Sequence, residues 1–405
     1  MKKVFLSVTI LVSACLFTSK AMARCEDNDS TLTILAGDTT LQTAYIQGAI
    51  DYCNSTGGGT VRLTTGTYRT GSINMKSNIT LRIDSGATLL GSPNMTDWFV
   101  GSSLKNLITN SGTLTNVRLT GGGTIDGSGR PWWVAFSTNS ALNRPRLITL
   151  SNVTNLTIDS LNIQNAPTFH IVPNNCNNVV IDHVAISTLD PLAKNTDGID
   201  PSDSKNILIT NCSISDGDDN IAIKASGVVN GNQTQDITVQ NCFFGIGHGL
   251  SIGSQTYGGY CNLRVSGCSF VGTTSGIRIK SGPGEGGLVY NVYYSNITMK
   301  NVTNPIYSTF DYQNVVTTPP KIPAVTNFFI NNLTATGSAN AGIINGLANS
   351  IIQNIVFTNV NITAKKGMTM SYANGVTFKN VIINKLPAKN GTNVITTNVT
   401  GINGF

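Results

Sequence analysis

Charge is scarce in this 405-residue sequence. Asp, Glu, Lys and Arg make up only 11% of it, against ~25% in ordinary globular chains. Asn, Thr, Ser, Ile, Val and Gly fill the gap, a mixture that favours strands and turns over helices. After residue 17 no apolar run approaches ~18 residues, so no membrane-spanning helix is expected. The formal charge of +6 is carried partly by the first 23 residues. Removing them takes away three lysines and no acids, leaving 23 basic against 20 acidic residues, or +3. So small an excess suits an acidic polymer through long-range attraction; no nucleic-acid or membrane partner is expected.

The N-terminus reads as a secretory leader. Lys2 and Lys3 precede an apolar run from Val4 to Phe17, and Ala21-Met22-Ala23 gives a small-x-small cleavage pattern. The expected organisation is a leader over 1–23 and one domain over 24–405, exported and monomeric. Of eight cysteines, Cys15 leaves with the leader. Export permits disulfides, and Cys25 with Cys53 is the preferred pair. It would tie the N-terminus to the end of the first predicted helix.

A short phrase then recurs: Asn, apolar, any residue, apolar. It appears as Asn78-Ile-Thr-Leu, Asn116-Val-Arg-Leu, Asn155-Leu-Thr-Ile and so on to Asn354-Ile-Val-Phe, with Asp236-Ile-Thr-Val in one place. From Asn155 onward the intervals are 23, 28, 30, 26, 29, 36 and 27 residues. A second phrase, x-Gly-apolar-x-apolar, runs in step: Asp197-Gly-Ile-Asp-Pro, His248-Gly-Leu-Ser-Ile, Ser275-Gly-Ile-Arg-Ile. A third reads Asn211-Cys-Ser-Ile, Asn241-Cys-Phe-Phe, Gly267-Cys-Ser-Phe. Each alternates with period two, so each is a short strand with one buried face. Three strands per repeat with no helix between them exclude βαβ units. One repeat cannot bury its own apolar face, whereas stacked repeats bury a continuous core. The expected fold is all-β: a right-handed, single-stranded parallel β-helix of about ten coils. Residues 41–53 carry near-helical apolar spacing, with Leu41, Ala44, Tyr45, Ala49, Ile50 and Cys53 on one face. They are expected to cap the first coil. Cys212, Cys242 and Cys268 are expected to stack inside as small buried hydrophobes, with a disulfide among them, or from Cys261 to Cys268, the alternative.

The scarce charges are not spread evenly. Reading the second phrase coil by coil, its first position gives Asp197, Asp219, His248 and Ser275. Its fourth gives His170, Asp200, Ala222, Ser251 and Arg278, and its sixth includes Lys224 and Lys280. Acids in turns are locally favoured, which accounts for any one of them but not for the whole stripe. Neighbouring acids repel, and crowding raises the pKa of at least one. A protonated carboxyl beside an ionised one is what glycosidic hydrolysis needs: one gives a proton to the leaving oxygen, the other draws one from water. Nearby cations suit a substrate that carries carboxylates.

Four motifs in order, Asn195-Thr-Asp-Gly-Ile-Asp200, Gly217-Asp-Asp-Asn220, Gly247-His-Gly249 and Arg278-Ile-Lys280, resemble the signatures of glycoside hydrolase family 28, the polygalacturonases. Gly123-Thr-Ile-Asp-Gly127, Arg144-Pro-Arg-Leu-Ile148 and Asn165-Ala-Pro-Thr-Phe-His170 agree. The resemblance spans roughly residues 36 to 380. It implies hydrolysis of the α-1,4-galacturonan backbone of pectin, without metal or cofactor. It implies that Asp218 is the general acid, that Asp197 and Asp219 hold and deprotonate the attacking water, and that His248 supports the acid. Arg278, Lys280, Tyr294 and Asn195 would bind substrate. It also implies inversion at the anomeric carbon, which calls for carboxyl groups ~6.5–9.5 Å apart to admit a water. Endo action is expected, with exo action the alternative. A calcium-dependent pectate lyase on the same solenoid fits the paired acids beside a histidine less well. A non-catalytic adhesin has no need of a charged stripe.

Overall fold

The structure is a computed structural model that describes residues 24–26, 31–34, 40–227, 234–312, 321–386 and 393–404. The expected leader lies outside the described residues. So does the side chain of Cys25, and with it the expected Cys25–Cys53 pairing.

Strands pair in parallel from one repeat to the next and build three ladders round one axis, a parallel β-helix. The first ladder collects the Asn phrases, for example 114–120, 153–159, 177–182 and 205–210. The second runs through 162–164, 185–187 and 213–215. The third takes in 148–151, 171–174, 221–223, 250–253 and 275–280. Between 171–174 and 221–223 it is continued by single bridges at Ile199 and Ser202.

The recurring asparagine has a local cause. From Asn78 to Asn354, the phrase asparagines and Asp236 have φ between 51° and 63°, a left-handed conformation that Asn and Asp tolerate better than other non-glycine residues. Stacking then lets each amide donate to its neighbour: Asn116 to Asn78 at 2.8 Å, Asn155 to Asn116 at 2.9 Å, Asn327 to Asn291 at 3.0 Å, Asn354 to Asn327 at 2.8 Å.

Inside, apolar residues stack in register. One column runs Leu119, Ile158, Ile181, Ile209, Val239, Val265, Tyr294, Ile330 and Phe357. All are buried, and each full burial contributes ~1.5–3 kcal/mol before entropy is counted. Cys212, Cys242 and Cys268 form a buried column of free thiols, as expected of small hydrophobes.

The capping helix, α1 (Thr43–Ser55), is present, but Ile46, Ala49, Ile50 and Cys53 make its buried face. Leu41, Ala44 and Tyr45, expected on that face, are exposed. The 46-49-50-53 spacing is the helical stripe that decides this. A second helix, α2 (Arg130–Thr138), was not expected. Its Pro131 stands at the first turn, where a missing N–H costs nothing, and it buries Trp132 and Trp133.

Candidate active site

The third ladder positions the site. Ile199 pairs with Ile221, Ile221 with Leu250, and Leu250 with Ile277. Two residues upstream of these stand Asp197, Asp219, His248 and Ser275, one per coil. Asp218 precedes Asp219 in the turn. Asp197, Asp218 and Asp219 each bring an oxygen to within 4.8 Å of the others. Their side chains are 6%, 22% and 1% exposed, so Asp218 is the one that reaches solvent.

The three differ electrostatically. Burial and then the charge of Asp200 push the Asp197 carboxyl well above its ordinary range; Lys224, 3.5 Å away, opposes this, and Asp218 and Asp219 add to the rise. Burial alone would raise Asp219 too. Lys280 and Arg278, each 2.6 Å from one of its oxygens, overcome that and hold it below the ordinary range, with Ser251 donating at 2.9 Å. Asp218 accepts from Asn195 Nδ2 at 3.2 Å and lies 4.0 Å from His248 Nε2. His248 Nδ1 is 2.7 Å from Thr274 Oγ1.

Two buried residues hold this geometry. Arg144 donates to the carbonyls of Pro167 and Lys194, at 3.0 and 2.7 Å, and to Asn195 Oδ1 at 2.9 Å. Because guanidinium only donates, that contact fixes which end of the Asn195 amide faces Asp218. Asn220 donates to the Ile246 carbonyl and accepts from Gly249 N–H, clamping the His248 turn. Gly249, at φ +78°, has no room for a Cβ: it would stand 2.0 Å from the Ser275 carbonyl oxygen.

The family model for glycosyl hydrolases family 28 matches residues 53–382. An endo-polygalacturonase of Pectobacterium carotovorum subsp. carotovorum is 36% identical over 322 residues, covering 73% of this chain and 79% of that one. An exo-poly-alpha-D-galacturonosidase of Dickeya chrysanthemi is 30% identical, covering 87% and 71%. The solved polygalacturonase from Erwinia carotovora ssp. carotovora superposes with a TM-score of 0.73 at 31% identity, covering 94% and 99%. The chain belongs to glycosyl hydrolases family 28. It is a glycoside hydrolase.

Of the residues that the family resemblance nominated, Asp197, Asp218, Asp219, His248, Asn195, Arg278 and Lys280 come together. Tyr294 does not. It lies in the core column between Val265 and Ile330, 1% exposed, edge-on to Phe328. The alternation of Asn291-Val-Tyr-Tyr turns Val292 and Tyr294 inward together. Tyr307 and Tyr312, both missed, lie beside the basic pair instead: Arg278 faces both rings and Lys280 faces Tyr312 at 5.2 Å. His170 was placed level with Asp200; the register sets it level with Gly198, fully buried. Its Nδ1 donates to the Asp197 carbonyl at 2.9 Å, and Nε2 is 2.8 Å from Thr188 Oγ1. Burial pushes its pKa down to about 4.

The carboxyl groups add further findings. The separation of ~6.5–9.5 Å is not what the nearest oxygens show. Asp197 and Asp219 occupy adjacent coils, and the ~4.8 Å strand spacing brings them close. The raised carboxyl that crowding predicted is found on Asp197. Asp200 was read only as a stripe member; it is buried and ion-paired to Lys224. Asp216, absent from the sequence reading, is also buried and pushed well up, and it accepts the Asp218 N–H at 3.1 Å. Among the described residues the three carboxylates could also accept a hard cation, although Arg278 and Lys280 already neutralise Asp219.

Proposed function

We propose that this protein is an exported, monomeric polygalacturonase that hydrolyses α-1,4-galacturonosyl bonds of polygalacturonate, acting within the chain. The observation that carries the reading is the trio Asp197, Asp218 and Asp219, one carboxyl open to solvent and two buried beneath it. Asp218 gives its proton to the leaving oxygen, for which its exposure suits it. Asp219, held ionised by Arg278 and Lys280, draws a proton from the water that adds to the anomeric carbon. Oxygens within 4.8 Å of each other can share one water at ~2.8 Å from each. A water between Asp197 and Asp219 therefore fits despite the short separation, and inversion is the outcome we propose. Every group in this scheme comes from one chain.

Early product sizes from polygalacturonate test the mode: mixed oligomers fit internal cleavage, while monomer or dimer alone would assign the chain to exo action, as in the Dickeya relative. Proton NMR of the first-formed anomer tests inversion. The acid is tested with an aryl galacturonide whose leaving group needs no proton. Asp218→Asn should retain turnover on it while losing polygalacturonate. If Asp197→Asn behaves so instead, the two roles are exchanged.

A further inference from the structure

We propose that Arg146, stacked on Phe169, is a binding site for the carboxylate of a galacturonosyl unit, on the opposite side of the acids from Arg278 and Lys280. The proposal rests on the polygalacturonase reading and extends it to where the chain lies.

The register carries it. Ile148 pairs with Ile171, and Ile171 with Ile199. Two residues upstream stand Arg146, Phe169 and Asp197, the same column that continues to Asp219 and His248. Backbone bonds link it coil to coil: Leu147 N–H to Phe169 O at 2.9 Å, His170 N–H to Asp197 O at 2.8 Å, Gly198 N–H to Asp219 O at 2.9 Å. Arg146 therefore lies two coil spacings from Asp197, ~10 Å along the axis.

The charges single it out. Arg278 and Lys280 are committed to Asp219, Lys224 to Asp200 and Asp197, and Arg144 to Asn195 and two carbonyls. Arg146 makes no ion pair among the described residues, acts on buried Asp200 only at longer range, and is half-buried. It is nonetheless held. Its guanidinium lies 5.1 Å from the centre of the Phe169 ring, Lys224 Nζ is 4.2 Å from the same ring, and Asn106 Oδ1 accepts its backbone N–H at 2.9 Å. A guanidinium fixed over a ring keeps its fork of donors for a carboxylate, and little side-chain freedom remains to be lost on binding. A substrate with an acid on every sugar, running along this column through the acids, meets it.

The test measures binding of tetragalacturonate to Asp218→Asn by calorimetry at low salt, then to the same protein carrying Arg146→Gln or Arg146→Lys. Carboxyl-reduced, uncharged tetramer is the control ligand. Arg146→Gln should weaken tetragalacturonate about tenfold or more, Arg146→Lys should restore part of the loss, and the neutral tetramer should bind both proteins alike. Equal weakening of the neutral ligand would mean that Arg146 acts only by packing Phe169, and the proposal would fail. An unchanged affinity for tetragalacturonate would also sink it. If Asp218→Asn binds no tetragalacturonate at all, the polygalacturonase reading fails first and the subsite with it. In the otherwise intact enzyme, Arg146→Gln should raise KM and spare kcat.

Discussion

The asparagine ladder and the acidic column are built by the same repeat and come out opposite. On the first, stacking places like beside like, and an amide such as that of Asn116 both donates to one neighbour, Asn78, and accepts from the next, Asn155. Neutral groups with both functions gain from repetition. On the second, stacking places Asp197 above Asp219 beside Asp218, and repetition concentrates charge. That face holds only because Arg278, Lys280 and Lys224 answer the acids. One column stabilises the solenoid; the other spends stability to hold carboxyl groups in unequal states.

The comparison can be broken at several points. The largest effect should come from Asp218→Asn, which removes the exposed acid. Release of reducing ends from polygalacturonate should fall ~10²–10⁴-fold, with the thermal midpoint kept or raised. Full turnover in that variant would remove Asp218 from the mechanism.

Next, replacing both Lys280 and Arg278 with Met leaves buried Asp219 without either of its cations and should lower denaturant stability by about 3 kcal/mol. Adding Asp219→Asn should recover much of that loss without recovering activity. A stable double variant would show that Asp219 is not kept charged by its partners.

His170 offers a pH test of the column's support. Its pKa is about 4 folded and ~6.5 unfolded, so the unfolded chain takes up a proton first as pH falls. The contribution is present above ~6.5 and is lost toward 4. Relative to His170→Gln, the wild type should lose about 2 kcal/mol between pH 6.5 and 4.5, read from urea melts. Parallel curves would show that His170 does not stay neutral.

The smallest effect belongs to the asparagine side. Asn291→Ala removes amide bonds to Asn262 and Asn327 and strains a φ of 59°, costing about 1–2 kcal/mol. Asn291→Gly keeps the backbone conformation free and should cost less. If both cost the same, the left-handed backbone is not why asparagine recurs.

Each misplacement has its own cause. Tyr294 was set in the cleft by resemblance, although the alternation of its own phrase turned it inward. His170 had no glycine in Pro-Thr-Phe-His-Ile to anchor its register, and it slipped by two residues. Helix α2 interrupts the repeat once, so no periodicity announced it. Arg144 was visible as part of a motif, but its contact with Asn195 spans 51 residues and follows from no spacing.

The sequence by itself determined the repeat, the solenoid and the gathering of Asp197, Asp218, Asp219 and His248, because strand alternation and coil period are local and recur. Only the tertiary structure decided which carboxyl is pushed up and which is held down, which cations are committed, and which remains open. Those depend on burial and on distances between coils, where a shift of one strand spacing exchanges a partner for a neighbour.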